Sequence, residues 1–420
     1  SLTKPLLPLA PFLCYALPKI GTQRRDFTDM VRMIDAHTGG IGLSGNARTL
    51  FDPTGSCMPY LAVNGKCLSR NLEKTFEIIG EVLFEADFGD MSRLKSLLLE
   101  YKAGLDTMVV HNGHRLAISL ASRSFSEASA LSEAWGGIQQ LKTMQTITDN
   151  LTDEKVAAVS RDLTAIRDLV VKKENLKVGL VGEEGDLQQS LGFITNGGIL
   201  SGVSAFTPGD AGFIAPPIPL EDKPAREGWS TSSAVSFVAK TIRTVRMEHA
   251  DSPALAVISK MLRSMYLHRE IREKGGAYGG FALYSSETGL FNFASYRDPH
   301  ILSTLDAFEG AAEFIVSGNY VGEDIKEAIL QVCSEIDKPD PPGPAAKKAF
   351  YRRLVNLADD ARRRFKERLL DLKHADIVAV GQKYFMPGND EQGVAVISGE
   401  DQLKKANGNI AGPPLEINKI

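Results

Sequence analysis

Arg272 and Tyr278 stand six positions apart on either side of Gly275-Gly276, within His268-Arg-Glu-Ile-Arg-Glu-Lys-Gly-Gly-Ala-Tyr-Gly-Gly-Phe-Ala-Leu. A guanidinium and a phenol both donate hydrogen bonds, and both suit a carbonyl oxygen. Charge at a helix end, then glycine, then strand-like sequence predicts a sharp helix-to-strand turn, because glycine enters backbone conformations that a Cβ resists. Such a turn lets the two side chains converge on one surface. Taken alone, the pair also fits a structural reading, with the arginine closing a helix and the tyrosine half-buried in a strand.

Motifs for other chemistries are missing. The sequence holds no His-x-x-Glu-His, His-Glu-x-x-His, Gly-x-Ser-x-Gly or Walker loop. Of His37, His111, His114, His249, His268, His300 and His374, only His111 and His114 have the helical spacing to share a metal. No carboxylate lies within four residues of either, and Gly113 between them suggests a helix junction. No metal site is therefore expected in this chain. Cys14, Cys57, Cys67 and Cys333 form no Cys-x-x-Cys pair. They read as reduced, partly buried thiols, with a Cys57–Cys67 disulfide as the rarer alternative.

The elements that must position Arg272 and Tyr278 occur in two copies. Residues 38–45 read Thr-Gly-Gly-Ile-Gly-Leu-Ser-Gly and residues 274–281 read Lys-Gly-Gly-Ala-Tyr-Gly-Gly-Phe. Alternating, strand-like sequence follows each, then amphipathic helices near 73–86 and 301–317, then further helices from Asp90 and Glu323. The shared order and spacing predict a domain duplication. Lys177-Val-Gly-Leu-Val-Gly reads as a last buried strand of the first copy. The prolines of 207–228 predict an ordered linker. The second domain is expected to begin near Trp229, with a strand over Ala234–Ala239. A proline-rich break at 338–344 separates its helices, and 346–371 reads as one long, solvated, charged helix. The fold class expected is α+β, with two homologous domains, 1–206 and 229–420, each a mainly antiparallel sheet packed with helices.

Composition agrees with this layout. A chain of 420 residues suits two domains of roughly 200 residues each. Its formal charge of −4 supplies no basic field, which argues against nucleic acid as a partner. No apolar run approaches the ~20 residues that cross a bilayer, so no membrane association is expected. Ser-Leu-Thr-Lys-Pro at the amino terminus reads as a cut or processed end, from which no compartment follows.

Leu17-Pro-Lys-Ile-Gly-Thr with Thr38-Gly-Gly-Ile, and Arg272-Glu-Lys-Gly-Gly-Ala-Tyr-Gly-Gly, together resemble the pitrilysin/insulinase family of zinc peptidases. Within that family the chain is most similar to the presequence proteases, from about Leu7 to Val396. The resemblance implies four homologous α+β domains in the whole enzyme, arranged as two halves closing around a peptide. This chain matches the carboxy-terminal half, with 1–206 and 229–420 as the third and fourth domains. Zinc is then a cofactor of the amino-terminal catalytic half, which is the implied partner, and this chain supplies no ligand. In the duplicated frame the zinc-motif positions fall on Phe12, Tyr15 and Ala16, which offer no ligand or carboxylate. Shifting Arg272 and Tyr278 back by 236 lands on Ala36 and Gly42, so only the second copy keeps the pair.

By the same resemblance, Tyr278 contacts the peptide carbonyl or its developing oxyanion and Arg272 holds the neighbouring backbone. Gly275 and Gly276 set the turn and admit the peptide closely. The substrate class implied is unstructured peptides, such as cleaved targeting peptides. The setting implied is the mitochondrial matrix or chloroplast in a eukaryote and the cytoplasm in a bacterium. A rival expectation is a non-catalytic scaffold or substrate-recognition subunit of a processing-peptidase-like complex.

Overall fold

The computed structural model describes residues 2–172, 175–195, 218–386 and 391–420. The first half opens with α1 (Ala10–Ala16) and α2 (Phe27–His37), then the strands β1 (Ile41–Thr49) and β2 (Cys57–Gly65). Next come α3 (Leu72–Phe84), the 32-residue α4 (Met91–Ser122), α5 (Glu127–Gly136), α6 (Ile138–Thr148), α7 (Asp153–Val170) and α8 (Glu184–Thr195). The second half begins with β3 (Arg226–Thr231) and β4 (Phe237–Arg243), then α9 (Ser252–Met261). α9 continues as a wide-turn π helix over Leu262–Lys274. β5 (Gly279–Ser285), β6 (Leu290–Tyr296), α10 (Leu302–Ser317) and α11 (Gly322–Ile336) follow. The chain closes with α12 (Pro342–Leu354), α13 (Asp359–Leu370), α14 (His374–Phe385), β7 (Gln392–Gly399), α15 (Glu400–Asn407) and β8 (Glu416–Lys419). Helix, helix, hairpin, helix, helix therefore recurs, as α1-α2-β1-β2-α3-α4 and as α9-π-β5-β6-α10-α11.

The class is α+β, and its sheets are rich in antiparallel pairs. Six strands run in the order β5-β6-β4-β7-β3-β8. β5, β6, β4 and β7 pair antiparallel, whereas β3 is parallel to both β7 and β8. Among the described residues the first half contributes only the β1–β2 hairpin as sheet. The six-stranded sheet is buried on both faces, which explains why β4, β6 and β7 are apolar almost throughout.

The first half covers one of those faces. Ala239 pairs with Ala294 on one side and Ala395 on the other, forming a row of small residues across three strands. This row makes a flat bed on which α4 lies, with Leu116, Ala117, Leu120 and Ala121 buried in the same core. Gly113 permits the closest approach, since a Cβ there would strike the Phe237 ring. On the opposite face Val238, Phe291, Phe293 and Val396 pack with Leu255, Phe308 and Phe385 from α9, α10 and α14. Full burial of each such side chain stabilises by about 1.5–3 kcal/mol.

Several expectations change. Lys177–Gly182 forms no strand, and Val178 and Val181 are exposed, because no described strand lies alongside to satisfy their backbone. Of the linker, 207–217 lies outside the described residues, and β3 already begins at Arg226. β4 starts at Phe237 rather than Ala234, after Ser233 Oγ turns the chain by accepting the Val235 N–H. Of the 338–344 break, Pro342, Gly343 and Pro344 open α12, where a missing N–H costs nothing. The charged stretch 346–371 is two helices. Asn356 adopts the left-handed region (φ 59°), and Asp359 and Asp360 start α13 while pairing with Arg362, Arg363 and Arg364. All four cysteines are free thiols, and burial pushes Cys14 and Cys57 up to about 12.

Candidate peptide-contact site

The wide turn of the π helix begins the construction of the site. Leu262, Leu267 and Ile271 are its buried residues, spaced five and four apart, so its other positions face solvent. At its end the Gly276 N–H donates to the Arg272 carbonyl (3.0 Å) and the Ala277 N–H to the Ile271 carbonyl (3.1 Å). This closure is a Schellman-like cap widened by one residue, as suits a helix of larger turn. Gly276 sits at φ +75°, where a side chain is strained. A Cβ on Gly275 would lie 2.6 Å from the Ile271 carbonyl oxygen. Both glycines are therefore required by the turn that separates Arg272 from Tyr278.

Each member of the pair projects outward. Arg272 is exposed and its Nη1 lies 3.3 Å from His268 Nε2, while His268 Nδ1 lies 3.3 Å from Glu273. Tyr278, immediately before the edge strand β5, is 70% exposed, well outside a half-buried strand tyrosine. Its N–H donates to the Tyr296 carbonyl (3.0 Å), and its ring stands edge-on to Tyr296 at 5.8 Å. Among the described residues the Tyr278 hydroxyl makes no hydrogen bond, nor does Arg272 bond to Tyr278. The turn thus presents one unengaged phenol and one guanidinium free of carboxylates, both available to an incoming carbonyl.

Residues not singled out by sequence complete the surroundings. Tyr296 lies between Tyr278 and His114 of α4, whose ring is 4.9 Å from it and 5.6 Å from Phe281. Arg297 places its guanidinium 5.5 Å from the Tyr296 ring and holds φ at +50°. The alternating aromatics of β5 and β6 were the available signal for Tyr296. Nothing in the sequence marked Arg297 or joined it to His114. His111 and His114 do not act as a ligand pair: α4 kinks at Asn112, His111 is exposed, and His114 is half-buried among rings. Burial, then the neighbouring Arg115, hold the His114 imidazole below its ordinary pKa.

The duplicated frame in the first half has been filled differently. Phe12 and Ala16 are fully buried on α1, and the Tyr15 hydroxyl donates to Glu100. Tyr101 packs 4.9 Å from Tyr15, and Lys19 Nζ lies 3.5 Å above the Tyr15 ring. An ammonium over an aromatic cluster is a packed structural unit, and its donor chemistry does not fit a zinc ion. No three His, Cys, Asp or Glu side chains gather elsewhere among the described residues.

Comparison with known proteins places this geometry. Residues 1–147 match the family of regions associated with peptidase M16, subfamily C, and residues 230–396 match "PreP C-terminal domain". The mitochondrial presequence protease of Danio rerio is 28% identical over 96% of this chain, and that of Kluyveromyces lactis 29% over 94%. The chain spans 40% of the length of each. Among solved structures, a conserved protein from Enterococcus faecalis superposes with a TM-score of 0.63 at 14% identity, covering 94% of this chain and 90% of that one. The structure titled as a peptidase M16 inactive domain from Pseudomonas fluorescens gives 0.56 at 14% identity, covering 96% and 89%. These two likenesses establish the fold.

Proposed function

The chain belongs to the pitrilysin/insulinase (M16) peptidases as the carboxy-terminal half of the presequence-protease branch, and from that premise we propose that it supplies substrate contacts to a zinc-dependent metalloendopeptidase. The observation carrying this reading is the exposed, unbonded phenol of Tyr278 on a glycine turn. In this role Tyr278 donates its hydroxyl to the carbonyl under attack, gaining strength as negative charge collects on that oxygen. Arg272 donates to an adjacent peptide carbonyl and fixes the backbone relative to Tyr278. Main-chain recognition of this kind tolerates many side chains and favours unstructured peptides, among them cleaved targeting peptides. Zinc is held by the amino-terminal half of the enzyme, which is this chain's partner. In a eukaryote the setting is the mitochondrial matrix or chloroplast, in a bacterium the cytoplasm. A scaffold would have no use for an exposed, unengaged phenol on a turn built from two constrained glycines.

The test is reconstitution with the zinc-holding half. This chain alone should bind no stoichiometric zinc and cleave no unstructured peptide, whereas the combined halves should cleave. Tyr278→Phe should then lower kcat at least about tenfold with little change in KM, since the lost donor acts mainly on the transition state. An unchanged kcat would reduce Tyr278 to a structural residue, and zinc-dependent cleavage by this chain alone would overturn the division of labour.

A further inference from the structure

A continuous row of half-buried rings runs beside the Arg272–Tyr278 turn. Phe281 on β5 stacks on His114 of α4 (5.6 Å), and His114 meets Tyr296 of β6 edge-on (4.9 Å). A guanidinium closes each end, Arg263 at 5.5 Å from the Phe281 ring and Arg297 at 5.5 Å from the Tyr296 ring. Both arginines are exposed, and neither pairs with a carboxylate among the described residues. The local acids are already engaged: Glu270 by Arg269 and Lys274, Glu273 by His268, and Asp298 by Thr304 and the His300 N–H. Unneutralised cations around an accessible aromatic floor are electrostatically complementary to an anion.

Arg297 adds a second observation. A left-handed backbone in a long-side-chain residue costs roughly 1–2 kcal/mol, and Arg297 holds φ +50° directly after β6. Strain of this type persists where it aims a side chain that function uses. Here it sets the guanidinium against Tyr296, the ring that also carries Tyr278.

We propose that the Phe281–His114–Tyr296 row, bounded by Arg263 and Arg297, is a second peptide subsite that takes an acidic side chain of an extended peptide, its carboxylate on Arg297 and its neighbours against the rings. The inference rests on the chain being the substrate-contacting half of a peptidase, and it names a preference for aspartate or glutamate near the reacting carbonyl. Arg297 acts as a specificity residue, touching the peptide but not the bond that breaks.

The experiment titrates this chain with two fluorescent, C-terminally amidated, unstructured peptides that differ only by glutamate against glutamine. The expected result is about tenfold tighter binding of the glutamate peptide, equivalent to ~1.4 kcal/mol, with the advantage fading as salt rises. Arg297→Gly should abolish that advantage, leave the glutamine peptide's affinity unchanged and raise the melting temperature by relieving the φ strain. A merely structural arginine would show the opposite pattern, losing stability while discrimination persisted. Equal affinity of both peptides, no binding of either, or discrimination that survives Arg297→Gly each overturns the proposal. So does an advantage that appears only when the C terminus is left free. Reconstituted cleavage and its dependence on Tyr278 would remain intact under all of these outcomes, so the failure of this subsite is separable from failure of the peptidase reading.

Discussion

Tyr278 and Glu133 show how local surroundings decide what a side chain can do. Tyr278 is solvent-facing and free to donate, because Gly276 at φ +75° turns the chain outward before β5. Gly276→Ala should cost about 1–2 kcal/mol in urea unfolding and lower reconstituted activity by displacing Tyr278. Glu133 of α5 is the contrasting case, 1% exposed, with Oε1 accepting the Gln139 N–H (3.1 Å) and Oε2 unpartnered. Burial raises its carboxyl above the ordinary 4.5. The folded state therefore holds this proton to higher pH than the unfolded chain does. The associated stability is fully present below the unfolded value and is lost as pH rises through the folded one. Glu133→Gln cannot titrate, so its unfolding free energy should fall less steeply between about pH 5 and 8 than the wild type's. Parallel slopes would show that Glu133 does not titrate in this way.

At the scale of elements, two polar latches join the halves. At the end of α4, Arg123 donates to Glu227 through both terminal nitrogens and to Glu221 through Nε (2.8 Å). Glu227 Oε2 also accepts from Trp229 Nε1 (2.8 Å). Arg123→Ala leaves the Glu227 charge largely buried and should destabilise by about 3–5 kcal/mol. The Glu221 side chain is half exposed, so Glu221→Gln should cost less than about 1 kcal/mol. Equilibrium denaturation of both variants checks the ranking. The second latch seats the β1–β2 hairpin: Arg48 and the Thr49 N–H donate to Glu287, Arg246 donates to the Asp52 carbonyl, and the Phe51 N–H donates to the Val355 carbonyl.

For the molecule as a whole, the shared core has a thermodynamic consequence. α4 supplies one covering layer of a sheet whose strands all come from the second half. Neither half can separate without exposing the Ala239–Ala294–Ala395 bed and the Phe237 ring to water. Calorimetry should therefore show one cooperative transition for the 420-residue chain. Residues 218–420 produced alone should be insoluble or bind hydrophobic dyes. Two resolved transitions, or a soluble and cooperatively folding second half, would show that α4 is dispensable.

Residue type and spacing alone determined the duplicated order of elements, the α+β class, the glycine turn with its Arg272–Tyr278 pair, and the kinship that these motifs carry. Each is encoded locally, by helical or strand periodicity or by backbone conformations open to glycine. Lys177–Gly182 and 346–371 were misread because a short apolar run becomes a strand only beside a partner, and because Asn356 breaks a charged helix by adopting a left-handed conformation that periodicity does not reveal. Tertiary structure alone decided that Tyr278 is exposed, that α4 roofs the second half's sheet, and that His114, Phe281, Tyr296 and Arg297 meet. His114 and Tyr296 lie far apart along the chain, and only strand pairing and the packing of α4 on three alanines bring their rings together.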